Sequence, residues 1–218
     1  MKRLFIFCFI SLISVAPLLA HTIDYELDKM PTGNVFLKYV ELGFTHILPY
    51  GFDHVLFILC VFFMNTDIKK IILQATMFTV AHTITLGLAI YGIIKPPSHI
   101  IEPLIAISIV FLALDNIFTK KIKPWRLMMV FLFGLVHGMG FASALTGLGM
   151  PRYAFGVALF SFNFGVELGQ LTIIVFMYLF VAKIFSEKVW YRSRLVVPAS
   201  ILIALTATYW TIERIFFT

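Results

Sequence analysis

Long apolar stretches separated by short polar or basic segments recur along most of this chain. Hydrophobic residues make up 61% and charged residues 13% of the 218 positions, whereas a soluble domain carries about 25% charged residues. A helix needs about 20 apolar residues to cross the hydrocarbon core of a bilayer. The chain therefore has room for about five to seven spans and for no second domain. These features predict an all-α, polytopic membrane helix bundle.

The first twenty residues have the composition of a secretory signal peptide. Lys2 and Arg3 precede an apolar stretch at 4–15, and the segment ends on the small residue Ala20. This order is typical of a segment that is removed after export. We predict cleavage after Ala20, which leaves 21–218 as a single membrane domain; an uncleaved first span is the alternative. Cleavage exposes His21 as a terminal residue, either a copper ligand or an ordinary exposed histidine.

About six spans are predicted in the mature chain. The first begins near Pro49 or Phe52 and ends near Met64. The semi-apolar stretch before it, 35–45, is expected to be interfacial or re-entrant, because Pro49 and Gly51 interrupt a helix. The remaining spans are expected at about 71–93, 100–118, 126–147, 154–182 and 194–216.

Basic residues are distributed unevenly between the spans. The loops 65–70, 119–126 and 183–194 hold ten Lys and Arg, and the alternate segments hold five. Basic loops stay in the cytoplasm, so we predict a multi-pass protein of the bacterial inner membrane with both termini on the exported side. The net charge of +6 arises from these loops, and no basic helix face indicates a nucleic-acid partner. Cys8 and Cys60 form no CxxC motif and no expected disulfide.

Several ionisable and amide side chains lie inside the predicted spans. Such groups are costly in hydrocarbon, face the bundle interior and mark a pathway or a site. They are His46, Asp53, His54, His82, Glu102, Asp115, His137, Asn163, Glu167 and Gln170.

The positions of these groups predict a metal site that opens to the exported side. His82, His137 and Glu167 are expected near the midplane, with Asp53 and His54 near the exported mouth. Asn163, Glu167 and Gln170 follow i, i+4, i+7 spacing and share one helix face. Imidazole nitrogens suit Zn, Cu, Fe and Ni, so these residues predict a site for a first-row divalent transition ion. The predicted ligands are His46, Asp53, His54, His82, His137 and Glu167, with Asn163 and Gln170 as supporting polar groups.

Structural roles compete with ligation at some of these positions. Asp53 is also placed to cap its helix, and His82 to bond Thr79 or Thr83. Glu102 is expected to be an N-terminal acid of the third span. Asp115 lies near Lys120 and Lys121, which favours a cytoplasmic salt bridge.

Five segments together resemble the HupE/UreJ family of bacterial membrane proteins. They are 43–48, 51–57, 78–86, 133–142 and 162–170, which carry Gly-Phe-Thr-His, Gly-Phe-Asp-His, Ala-His-Thr, Val-His-Gly and Asn-Phe-Gly-Val-Glu. The family is associated with nickel uptake for hydrogenase and urease. The resemblance implies a nickel or cobalt permease, whose partners are the bilayer, the ion and an exported or outer-membrane metal-delivery protein.

Two other functions fit the same residues. One is an intramembrane metal-dependent hydrolase of lipids or peptides, with Asp53 or Glu167 as general base on a metal-bound water. The other is a metal sensor, chaperone or assembly factor. Transport requires a path through the cytoplasmic half of the membrane, where the spans offer only Asp115 and Asn116.

Overall fold

A computed structural model describes residues 31–64, 67–119, 123–147 and 150–217. Over these ranges the chain is helical and contains no strand. The expected signal peptide at 1–20, its cleavage site and His21 lie outside the described residues. The same holds for Cys8, Lys120 and Lys121.

Seven principal helices follow one another along the described chain. They are α1 (Thr32–Ile47), α2 (Phe52–Phe63), α3 (Ile68–Ile90), α4 (Ser98–Phe118), α5 (Trp125–Gly147), α6 (Phe155–Met177) and α7 (Val197–Phe216). A π-helical turn (Tyr178–Ala182) and a short turn (Lys183–Phe185) extend α6, and a second π-helical turn (Arg192–Val196) leads into α7.

Helices α3 to α7 are each long and apolar enough to cross a membrane, and the bent pair α1–α2 forms either a sixth, broken span or a re-entrant loop. The prediction of a polytopic all-α bundle with about six spans is therefore confirmed. Helix α3 begins three residues before its predicted start, because Asp67 caps it by accepting a hydrogen bond from Lys69 N at 3.1 Å. It ends before Gly92, whose φ of 72° lies in the left-handed region that favours glycine.

The break between α1 and α2 lies at 48–51, and the two helices meet at 70°. Gly51 N donates to Ile47 O at 3.1 Å, so the turn satisfies backbone groups that lipid cannot. A Cβ at Gly51 would collide with the carbonyl of His46, which explains why a glycine occupies the turn. The break falls where Pro49 and Gly51 predicted it.

Three helix pairs form the bundle: α3 packs along α5, α1 along α6, and α4 along α7. Glycines allow the first two pairs to approach closely. Gly138 of α5 lies against the carbonyl of His82 on α3, and Gly165 of α6 lies against the carbonyl of Val40 on α1. These contacts fix the separation of the helices that carry the histidines.

Substituting Gly165 with alanine is expected to lower the free energy of unfolding by about 1–3 kcal/mol, because the added methyl group meets the rigid backbone of α1. Thermal unfolding in detergent measures the effect. The matched control is Gly156→Ala on the same helix, where an added Cβ has nothing within 4 Å. Equal melting temperatures for the two variants would contradict the close approach of α1 and α6.

Candidate metal centre

Four histidines from four different helices converge in the bundle interior. His46 ends α1, His54 begins α2, and His82 and His137 lie within α3 and α5. The ring of His54 is central: its centroid lies 4.6 Å from that of His46, 5.2 Å from that of His137 and 5.9 Å from that of His82. The bend between α1 and α2 produces this arrangement, because it places residues eight positions apart face to face.

Three of these rings form a group that could hold a metal ion. One ring nitrogen from each of His46, His54 and His82 lies within 4.8 Å of the other two. His54 and His82 are buried, and His46 is half-buried. The Nε2 atoms of all four histidines are buried without a hydrogen-bond partner among the described residues. Unpartnered imidazole nitrogens gathered in a buried group suit a divalent transition ion.

Hydrogen bonds orient two of the rings. His82 Nδ1 donates to Asn163 Oδ1 at 3.0 Å, and Asn163 Nδ2 donates to Leu159 O at 2.8 Å, which fixes the amide. His137 Nδ1 donates to Phe133 O at 2.8 Å. A carbonyl oxygen only accepts, so these contacts place the proton on Nδ1 and leave Nε2 free as a ligand. Asn163, predicted as a supporting group, lies directly behind His82.

The helix break also provides favourable electrostatics for a cation. His46 lies in the last turn of α1, where the partial negative charge of the helix C-terminus is concentrated. Broken helices place such ends beside bound cations in membrane transporters. The opposing N-terminus of α2 carries Asp53 in its first turn, which offsets the partial positive charge there.

Aromatic side chains surround the cluster. The Phe141 ring lies 3.8 Å from the His46 ring, centroid to centroid, at an angle of 41°, and Phe162 lies 5.6 Å from the same ring. Phe57 and Phe78 lie 5.2 and 4.9 Å from His137. These rings exclude water and strengthen electrostatic interactions within the site.

A cavity of about 350 Å³ leads from one end of the bundle to the histidines. Its lining includes His46, His54, His137, Tyr50, Asp53, Glu102 and Arg214. We call this end the Asp53 end of the bundle and the opposite end the Asp115 end.

At the mouth of the cavity, Asp53 forms a bidentate ion pair with Arg214 of α7. Arg214 Nη2 donates to both carboxylate oxygens, at 3.1 and 3.0 Å. The guanidinium also donates to Glu102 O at 3.2 Å and lies 5.6 Å from the centre of the Trp210 ring. Asp53, a predicted ligand, is therefore occupied by an arginine and lies outside the three-histidine group.

Glu167, the other predicted carboxylate ligand, lies away from the histidines. Its Oε1 accepts from Thr76 Oγ1 at 2.7 Å, and its Oε2 lies 2.5 Å from Thr79 Oγ1. Gln170 Oε1 lies 3.3 Å from the same Thr79 hydroxyl. Asn163, Glu167 and Gln170 share one helix face as predicted, but among the described residues only Asn163 of these three forms a hydrogen bond with a histidine.

A buried polar network lies at the Asp115 end. The guanidinium of Arg126 is fully buried and pairs with Asp115, and its Nη2 donates to Asn116 Oδ1 at 3.0 Å. Asn116 Nδ2 donates to Cys60 O at 2.9 Å, which ties α4 to α2. Cys60 is a free thiol. Asp115 therefore forms an ion pair with Arg126, whereas the sequence predicted a salt bridge with Lys120 or Lys121.

Sequence reasoning missed the two arginines that matter most here. The sequence explains both as orienting charges, Arg126 in the loop 119–126 and Arg214 near the exported end of the span 194–216. Both lie one or two residues inside a helix end, and both reach an acid on a distant helix. A pairing argument for the intramembrane acids Asp53 and Asp115 would have identified them.

Comparison with known protein families identifies the chain. A family model described as "HupE / UreJ protein" matches residues 23–214, nearly the whole of the sequence. The chain therefore belongs to the HupE/UreJ family. Its described histidine cluster fits the handling of a metal ion. No curated protein and no solved structure shows significant similarity to it.

Proposed function

We propose that this member of the HupE/UreJ family is an inner-membrane permease for a divalent transition metal ion such as Ni²⁺ or Co²⁺. The ion is cargo: it enters from the exported side and binds the imidazoles of His46, His54 and His82. His137 lies beside His54 and supplies a fourth nitrogen. Both chain termini lie on the exported side, and a metal-delivery protein on that side is the expected partner.

The observation that carries this proposal is the trio of ring nitrogens within 4.8 Å of one another. Nitrogen bonds of about 2.0–2.1 Å in a tetrahedral site hold ligand atoms about 3.3 Å apart. Small ring movements would therefore close the group around an ion. An all-nitrogen set also suits cargo, because it binds nickel-like ions and discriminates against Mg²⁺ and Ca²⁺, which prefer oxygen.

The cavity supports entry from the Asp53 end. Two carboxylates, Asp53 and Glu102, and one guanidinium, Arg214, line it, which gives a formal charge of −1; negative charge in a cleft raises the local concentration of cations. Phe57 and Phe78 pack against His137, and the Arg126 network lies at the Asp115 end. This arrangement corresponds to an outward-open state of a permease, in which the cytoplasmic side is closed.

A blind cavity that ends at a metal site also suits a hydrolase, the second candidate. That enzyme needs a free carboxylate beside the ion to act as general base. Both oxygens of Asp53 accept from Arg214, and Glu167 bonds two threonines. Neither proposed base is free in this conformation, which favours transport over hydrolysis.

Vesicles that contain the purified protein and an internal Ni²⁺-sensitive dye test the proposal. The unaltered chain is expected to accumulate Ni²⁺ inside, and His82→Ala is expected to abolish uptake. The matched control is His99→Ala, an exposed histidine outside the cluster, which should leave uptake unchanged. Tight Ni²⁺ binding without movement across the vesicle membrane would overturn the permease and favour the hydrolase or a metal sensor.

A further inference from the structure

A row of polar side chains continues from the histidine cluster along the interface between α3 and α6. The row starts behind His82, where the Asn163 amide of α6 bonds the imidazole. One turn further along α6, both oxygens of Glu167 accept hydrogen bonds from α3, one from Thr76 at 2.7 Å and one from Thr79 at 2.5 Å. The α3–α6 polar row, as we call it, consists of Asn163, Glu167 and Gln170 on α6 with Thr76 and Thr79 on α3.

The polar row leads away from the metal cavity and towards the Asp115 end. Cys60 O, near the end of α2, belongs to the Arg126 network, so α3 begins at the Asp115 end. Thr76 precedes His82 by six residues on α3, which places it about 9 Å nearer that end at a rise of 1.5 Å per residue. Half of the hydrocarbon core is about 15 Å thick. With His82 near the midplane, as the sequence predicts, the row covers more than half of the path from the histidines to that surface.

The oxygens of the polar row have the spacing of metal ligands. Two metal–oxygen bonds of about 2.1 Å at right angles hold their oxygens about 3.0 Å apart. The oxygen–oxygen contacts that Thr76 and Thr79 make with Glu167 and Gln170, at 2.7, 2.5 and 3.3 Å, bracket this value. Thr79 Oγ1 also lies 3.2 Å from Ala75 O, which can accept the hydroxyl hydrogen while the oxygen faces a cation. The row therefore offers oxygens from one carboxyl, two hydroxyls and an amide.

Gln170 gives an independent indication that a polar ligand belongs here. Its side chain is fully buried, and Nε2 has no hydrogen-bond partner among the described residues. A buried donor without a partner is costly, and a water molecule that accompanies an ion would accept its hydrogen bond. A groove of about 390 Å³ beside the row supplies space, since Asn163, Glu167 and both threonines line it.

The distribution of charge favours this row over the other polar group on the way to the Asp115 end. Asp115 is neutralised by the buried guanidinium of Arg126, so that pair has no net charge to attract a cation. Glu167 is in none of the ion pairs within 4.0 Å among the described residues. An acid inside a membrane marks a pathway or a site, and here the acid lies next to the histidine cluster.

We infer that the α3–α6 polar row is a second binding site for the divalent ion, weaker than the histidine site and located between it and the Asp115 end. Oxygen ligands suit nickel-like ions less well than imidazole nitrogens do, so the row receives the ion from the histidines and releases it readily. The direction of movement rests on the proposed permease. The site itself rests on its own ligands and has a readout without transport.

Equilibrium dialysis of the full chain in detergent against Ni²⁺ counts the bound ions. Two ions per chain are expected, one tight and one weaker. Glu167→Gln should lose only the weaker ion, whereas His54→Ala should lose only the tight one. Thr76→Val, which removes one hydroxyl from the row, should bind the weaker ion less tightly. The matched control is Glu187→Gln, an exposed acid outside the row, which should keep both ions.

Two results would overturn the inference. One is a Glu167→Gln protein that keeps its normal melting temperature and still binds two ions; where that variant unfolds, unchanged binding of both ions by Thr76→Val has the same meaning. The other is a single bound ion in the unaltered chain. A chain that binds one ion and transports it contradicts the second site and leaves the permease in place. A chain that binds two ions and transports neither contradicts the permease and leaves the second site in place.

Discussion

Replacing His54 with alanine is expected to weaken Ni²⁺ binding by more than about 100-fold. Loss of a residue that only orients a metal ligand weakens binding by up to about 100-fold, and loss of a ligand should weaken it more. His54 is buried, its ring lies within 5.9 Å of the rings of His46, His82 and His137, and neither of its nitrogens has a hydrogen-bond partner in the described chain. Among the described residues, no other aromatic ring lies this close to all three of these histidines. Isothermal titration of the purified protein in detergent measures the loss.

Thermal unfolding provides an independent readout of the same substitution. An ion at 100 times its dissociation constant stabilises the folded state by about 2.7 kcal/mol, and His54→Ala should abolish this gain. His99→Ala should retain it, because His99 is an exposed residue at the start of α4. Unchanged Ni²⁺ affinity in a well-folded His54→Ala protein would remove His54 from the ligand set.

The spans were predictable because lipid imposes one strict requirement. Every backbone group in hydrocarbon must be bonded within its own segment, so apolar length alone located α3 to α7 within a few residues. The break at Pro49–Gly51 was also predictable, since proline lacks an N–H and Gly51 tolerates a contact that a Cβ would not. Both inferences use local chemistry and need no knowledge of neighbouring helices.

The composition of the cluster was less accessible from the sequence. Residue type and depth selected the histidines, but depth also placed Glu167 beside His137 in the prediction. Helix pairing and register decide such cases: one face of α6 packs on α3, where Asn163 reaches His82 and Glu167, one turn later, reaches the threonines. Pairing and register depend on the partner helix, and the glycines that set the pairs are visible in the sequence without their partners.

The role of Arg126 illustrates a different limit. A guanidinium two residues into α5 resembles an orienting loop charge until Asp115 of α4 is placed beside it. Since charge statistics treat each residue separately, they cannot distinguish a solvated cation from one half of a buried pair. The Arg126 side chain is completely buried, and it is the largest fully buried side chain among the described residues.

Replacing Arg126 with leucine is therefore expected to lower the free energy of unfolding by about 3–5 kcal/mol, because Asp115 would keep a buried charge without its partner. Arg126 Nη2 also bonds Asn116 and Cys60 O, at 3.0 Å each, and these acceptors would lose a donor. Chemical or thermal unfolding in detergent measures the change. The control is Lys70→Leu, which breaks an exposed pair with Asp67 and should cost at most about 1 kcal/mol.

Removing both charges separates the structural role of this pair from its role in transport. The double substitution Asp115→Leu with Arg126→Leu should recover most of the lost stability, because a well-packed apolar pair can replace a buried ion pair. It should retain Ni²⁺ binding at the histidines. It should lose uptake into vesicles if the ion passes these polar groups of the cytoplasmic half, since leucines would replace Asp115 and Arg126 with apolar side chains. Wild-type uptake by the double variant would show that the ion does not cross the membrane between α4 and α5 at this level. A melting temperature that does not recover would show instead that Asn116 and Cys60 O need the guanidinium as a hydrogen-bond donor. The pair would then stabilise the packing of α2, α4 and α5.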